Sequence, residues 1–178
     1  MKRWHALLVL IAVPAAVLVA AVTTWLSHGG THVLRDDPTT ITFRLPSRPD
    51  RLFAHGRFEA DHEIDLTSVA VGISLTDTSG VLFTATLPSG ALVLTRSTAA
   101  KKIYEFRNTS AKLVGGLARF WVLHDRYWYR LRVQAYGDIS AAAAPSLPIV
   151  GITIGAETYE SAGPWIDKGR SRVLKPTY

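Results

Sequence analysis

Leu117-Ala118-Arg119-Phe120-Trp121-Val122-Leu123-His124-Asp125-Arg126-Tyr127-Trp128-Tyr129-Arg130-Leu131-Arg132-Val133-Gln134-Ala135-Tyr136 is two runs of alternating apolar and polar residues joined by a short polar turn. Successive side chains of an extended chain point to opposite faces, so a period of two predicts a pair of strands rather than a helix. One face takes Ala118, Phe120, Val122, Tyr127, Tyr129, Leu131 and Val133, and belongs in a core. The other takes Arg119, Trp121 and Leu123 from the first strand, and Trp128, Arg130, Arg132 and Gln134 from the second. A turn at His124-Asp125 sets Trp121 opposite Trp128, and a turn at Asp125-Arg126 sets it opposite Arg130. The two registers differ by two residues, so both keep the same residues on the same face.

The same alternation extends outward through most of the chain. Ile41, Phe43 and Leu45 alternate with polar residues, as do Leu52, Ala54, Gly56, Phe58 and Ala60, and then Val69, Val71, Ile73 and Leu75. Asp77-Thr78-Ser79-Gly80 and Pro88-Ser89-Gly90 are turn signals between further runs. Strands are also expected at Val81–Leu87, Ala91–Thr95, Ile103–Arg107, Ile149–Ile154 and Thr158–Ser161. Asp138-Ile139-Ser140, followed by four alanines and Pro145, predicts a capped helical turn between strands. Gly115-Gly116 predicts a turn or bulge. About eight to ten short strands with regular turns predict an all-β fold, a single β-sandwich of immunoglobulin-like or jelly-roll type over residues 39–178. A closed barrel is the runner-up.

Before that domain the pattern is different. Lys2 and Arg3 precede seventeen apolar residues in a row, Ala6 to Val22, which predicts one N-terminal hydrophobic helix within residues 1–26. Trp4 and Trp25 flank it, about 31 Å apart on a helix, close to the thickness of a hydrocarbon core. A retained transmembrane anchor with the domain on the extracytoplasmic side is expected, with cleavage near Val19-Ala20-Ala21 and secretion as the alternative. Residues 27–38, with His28, His32, Asp36 and Asp37, are expected as a polar linker.

The chain has 178 residues, no cysteine and a formal charge of +6. The missing cysteines exclude disulfides, thiolate metal sites and cysteine nucleophiles. Charge is uneven: Ser27–Thr95 holds five Lys/Arg against eight Asp/Glu, and Arg96–Tyr178 holds thirteen against six. That asymmetry suits an anionic partner or head-to-tail self-association, and export argues against nucleic acid.

No Gly-x-Ser-x-Gly, Ser-x-x-Lys, His-Glu-x-x-His or phosphate-binding glycine loop occurs, and no catalytic residue or cofactor is assigned. Asp61, Glu63 and Asp65 alternate ahead of a strand and are weak candidates for calcium, which wants six to eight oxygens; surface carboxylates explain them as well, and no metal is assigned. Asn108-Thr109-Ser110 matches a glycosylation acceptor. The tail from Gly163 carries Lys168, Arg170, Arg172 and Lys175 as a last edge strand or an extended basic arm, within reach of phospholipid headgroups.

The candidate binding face is Arg119, Trp121, Trp128, Arg130 and Arg132. Indoles stack on sugars, arginines grip anions, and both residue types are enriched at protein hot spots. The same residues could instead satisfy one another, with arginine stems lying over the indoles. The expected function is a non-catalytic, exported or membrane-anchored contact module of the cell envelope, binding a protein or itself. A module for anionic or other polysaccharides is the alternative, and a hydrolase with a dispersed site is the second.

Overall fold

The structure is a computed structural model that describes residues 31–34, 38–44 and 47–175. The expected helix at Ala6–Val22 and the start of the linker lie outside the described residues. Among the described residues, no helix is long and apolar enough to cross a membrane.

The described chain is mostly β-structure in two sheets. Its strands are β1 Thr31–Val33, β2 Thr39–Thr42, β3 Asp50–Glu59, β4 Val71–Asp77, β5 Gly80–Leu87, β6 Val93–Ser97 and β7 Lys101–Arg107. A one-turn helix, α1 Ala111–Val114, precedes β8 Gly116–Asp125 and β9 Trp128–Gly137. After a 3-10 turn at Ser140–Ala142 come β10 Ile149–Ile154, β11 Glu157–Ser161, β12 Trp165–Asp167 and β13 Ser171–Leu174. The five-stranded sheet runs β1-β11-β10-β4-β5, and the eight-stranded sheet runs β12-β13-β2-β3-β9-β8-β7-β6. The pairings are antiparallel except β1 with β11.

Alternation puts one face of each sheet indoors, and the two inner faces share a single core, as in a β-sandwich. Ile73, Leu75, Val150, Ile152 and Tyr159 from one sheet meet Leu52, Phe58, Phe120, Val122, Leu131 and Val133 from the other. Each such side chain contributes about 1.5–3 kcal/mol by leaving water. A four-ring stack crosses this core: His124 on Tyr129 (4.3 Å between centroids), Tyr129 on Phe58 (5.0 Å) and Phe58 on Tyr159 (3.9 Å). The last step joins the eight-stranded sheet to the five-stranded one.

Three strands lie where the sequence predicts something looser. Residues 31–34, expected within the linker, form β1 and its continuation: Leu34 donates its N–H to Glu160 O (2.9 Å) and is buried at 2% exposure. The tail is built into the fold as β12 and β13, with β13 paired to β2. The strand alternative for the tail thus holds over the extended arm, but Arg172, expected on a basic surface in either case, is buried. Its guanidinium donates to Ala142 O (2.6 Å) and Ser146 O (2.7 Å), pairs with Asp167 (2.7 Å) and lies over Trp165. It thereby fastens β13 to the 3-10 turn and the loop after it. The helical turn is where the sequence predicts one, but its N-cap is Ile139 with no side-chain cap; Asp138 accepts from Ser140 N (3.1 Å) and Oγ at its entrance.

The hairpin β8–β9 turns at Arg126-Tyr127, one residue beyond the later of the two expected turns, so Trp121 faces Arg132 and Leu123 faces Arg130. The shift is again even, and the face is preserved. Tyr127 is corrected from core to surface, 69% exposed at the turn. Ala118 is corrected too. A bulge between Leu117 and Arg119 sets it aside from Phe120, and it packs with Ala111 of α1 and Tyr136 in a small second cluster.

Candidate functional site

The outer face of the eight-stranded sheet is built from β3, β9, β8 and β7 in that order. Leu131 and Val133 point inward, so Arg130, Arg132 and Gln134 must point outward, and pairing brings their β3 neighbours beside them. Glu59 lies opposite Trp128, Arg57 opposite Arg130, His55 opposite Arg132 and Phe53 opposite Gln134. On the other side Leu123 faces Arg130 and Trp121 faces Arg132, while Ile103, Glu105 and Arg107 of β7 face Leu123, Trp121 and Arg119.

All five sequence-predicted residues fall on this one face. Arg119, Arg130 and Arg132 are exposed, and Trp121 and Trp128 are half-buried. The indoles are not bare platforms. Arg132 lies over Trp121 (5.4 Å to the ring centroid) directly across the hairpin, and Arg57 lies over Trp128 (5.6 Å) from β3. A cation over an indole contributes about 0.5–1 kcal/mol where water has access. It also holds a long, mobile guanidinium in a fixed direction.

The centre of the face is a cationic block that the hairpin alone does not reveal. Arg57 and Arg130 form one cross-strand pair of like charge, and the next pair sets Arg132 opposite the imidazole of His55. Like charges placed directly opposite destabilise a sheet. Among the described residues, neither Arg57 nor Arg130 has a carboxylate within ion-pair distance. Of the acids on this face, Glu59 follows Arg57 along β3 without an ion pair to it, and the others are engaged toward the β7 side: Glu105 binds Arg107 (3.0 Å) and approaches Arg119 (3.8 Å), and Asp125 binds Lys101 (3.0 Å). β3 had a usable signal, since its inward Leu52, Ala54, Gly56 and Phe58 push Arg57 and His55 outward. Nothing local to either segment announces that β3 pairs with β9, some seventy residues away.

Asp61, Glu63 and Asp65 do not converge. Among the described residues, no group of three or more His, Asp or Glu is placed to hold a metal. The Glu63 carboxylate bonds to the Lys102 ammonium, which holds it below its ordinary range. Asp65 accepts from Thr67 N (3.0 Å) and Oγ1 (2.7 Å), which lowers its pKa, and its backbone carbonyl accepts from the Ser68 hydroxyl. Asn108 is turned inward on its own loop, its Oδ1 accepting from Ser110 N (3.1 Å) and Oγ (2.6 Å). His124 bonds through Nε2 to the backbone carbonyl of Arg126 (2.7 Å) and is 7% exposed, a stacking partner in the core.

No protein-family model matches the chain, and neither a curated protein nor a solved structure matches it.

Proposed function

We propose that the domain is a non-catalytic contact module that docks an anionic partner, in the first instance an acidic protein surface, on the outer face of its eight-stranded sheet. The observation that carries this is the uncompensated cross-strand pair Arg57–Arg130, next to His55–Arg132. Juxtaposed cations cost stability in the free protein, and an anion delivered by a partner relieves that cost while gaining charge-assisted hydrogen bonds. Half-buried indoles beside them match the Trp and Arg enrichment of protein hot spots. The guanidinium above each indole disfavours flat stacking on a sugar ring, which ranks the polysaccharide reading second. The all-β architecture is taken as an elaborated β-sandwich, since eight strands in one sheet exceed what an immunoglobulin-like or jelly-roll domain places there. The exported or membrane-anchored location rests on the sequence Ala6–Val22.

A photo-cross-linking residue at Arg119 of the full chain, expressed in its own cell, tests this reading. The expected result is a discrete protein adduct that is absent from a control position, Thr84 on the other sheet, and lost when Arg57→Glu and Arg130→Glu are combined. An adduct that survives the double charge reversal, or forms equally from Thr84, overturns it. An adduct with glycan instead of protein moves the assignment to the polysaccharide reading.

A further inference from the structure

At the far end of that face, beyond Gln134 on β9, two open clefts share one wall. The larger, about 570 Å³, lies between Arg44, Ser47, Arg48, Pro49 and Asp50 on one side, and Leu113, Val114 and Gly115 on the other; Gly137, Asp138 and Ser140 complete it. The smaller, about 520 Å³, is lined by Thr42, Phe43, Arg44, Ser47, Arg48 and Arg170. Both volumes lie in the range of small-molecule sites.

Charge and apolarity are separated across this double cleft. Arg44, Arg48 and Arg170 line it, and among the described residues none has an ion-pair partner. The two carboxylates present are occupied by backbone. Asp50 accepts from Arg44 N (2.8 Å) and from Ile139 N (3.2 Å), and Asp138 accepts from Ser140, which lowers its pKa. The Arg44 guanidinium is set over Tyr136, itself held under α1 and hydrogen-bonded to Gln134 (2.9 Å). At the far wall Leu113 and Val114 are 81% and 79% exposed, an adjacent apolar pair that α1 presents to solvent rather than to the core. Gly115, at φ +89, and Gly137 lie between these walls, and Gly137 is packed so closely on Phe83 that no side chain fits there.

We infer that this double cleft binds an anionic amphiphile, its phosphate or carboxylate head held by Arg44 and Arg48 where the clefts meet, and its apolar body lying along Leu113 and Val114. A head alone would meet the half-buried Arg44 and the exposed Arg48 with water at hand, where each ion pair is worth little. A tail alone would gain only the area it hides. The two together use the separation that the cleft provides.

Hexyl phosphate is a suitable probe, with hexanol and inorganic phosphate as its separated halves. Equilibrium dialysis is performed on the full chain in neutral maltoside micelles, so that partition into the micelle is common to every variant. The expected result is one-to-one binding of hexyl phosphate, with each half at least tenfold weaker. Arg48→Glu and the pair Leu113→Ser/Val114→Ser should each weaken it tenfold or more. All these side chains are exposed, and an unchanged melting temperature confirms that the variants fold. Affinity equal to that of inorganic phosphate, or affinity untouched by both variants, overturns the inference. Trp128→Ala and Arg130→Glu should leave hexyl phosphate binding unchanged, which separates this site from the outer face of the sheet.

Discussion

Arg172 carries a full charge into a place only 3% exposed, and the surrounding backbone makes that tolerable. Two carbonyls accept from its Nη1, the Asp167 carboxylate forms an ion pair with it, and Trp165, whose own indole N–H donates to Pro148 O (2.8 Å), covers its face. Replacing it with methionine keeps most of the volume but strands two buried carbonyls. Arg172→Met should therefore cost about 2–4 kcal/mol in urea denaturation, whereas the exposed Arg170→Met should fall within about 0.5 kcal/mol. Trp128 and Phe120 make the matching contrast across the sheet. Trp128→Ala removes a half-buried ring and should cost about 1 kcal/mol, while Phe120→Ala opens a cavity in the core at about 3–5 kcal/mol. Equal costs would mean that the inner and outer faces of β8 and β9 are wrongly divided.

At the scale of elements, the hairpin shows what alternation does and does not carry. The faces of Phe120 to Leu123 and of Trp128 to Val133 follow from period two, whereas His124, expected in the turn, is buried and Tyr127, expected in the core, is exposed. The turn did not follow, because Arg126-Tyr127 lacks the glycine or asparagine that marks tight hairpins. The strands run on through His124 and Asp125, which find partners in Tyr129 and Lys101 that are distant in sequence or across the turn. Arg126 is consequently held at φ 58, a conformation that suits glycine. Arg126→Gly should stabilise the protein by up to about 1 kcal/mol, read as a shift of the urea midpoint at constant slope. β1 was illegible for another reason: three residues after Gly29-Gly30 offer too short a pattern, and its pairing with β11 spans most of the chain. Leu34→Asp, buried at the end of that strand, should cost more than about 3 kcal/mol, a loss that no linker residue would produce. The candidate site was legible to the same extent. The five hairpin residues could be named from alternation, and Arg57 and His55 could not, because strand order is a property of the whole sheet.

Over the whole molecule, charge is sorted by sheet. The strands of the five-stranded sheet carry Asp77, Glu157 and Glu160 and no lysine or arginine, while those of the eight-stranded sheet carry ten lysines and arginines against five acids. Stability should depend on pH at both extremes. Glu63, Asp65, Asp77 and Asp138 are held below their ordinary values, Glu63 chiefly by its hydrogen bond to Lys102 and the three aspartates by hydroxyl donors. Their contribution is present above the unfolded values of 3.8 to 4.5 and is lost as pH falls through the lower folded ones. Tyr159 is raised above its ordinary 10.0, first by burial and then by its hydrogen bond to Glu157, and Tyr129 and Tyr104 are raised by burial. For these the unfolded chain ionises first, so stability is full below pH 10 and falls above it. Urea midpoints should be level from about pH 5 to pH 9 and decline on either side, and Tyr159→Phe should flatten the alkaline limb. β1 gives the molecule a mechanical property as well. A pull on the N-terminal end loads first a three-residue strand at the rim of the smaller sheet, while β2 is gripped on both sides within the larger one. Tearing β1 from β11 would pay out residues 31–38, about 27 Å of chain at full extension, before the load reaches the interior. Under tension the domain would thus lengthen by one short step and keep its larger sheet closed, much as a seam gives at a single stitch before the cloth is strained.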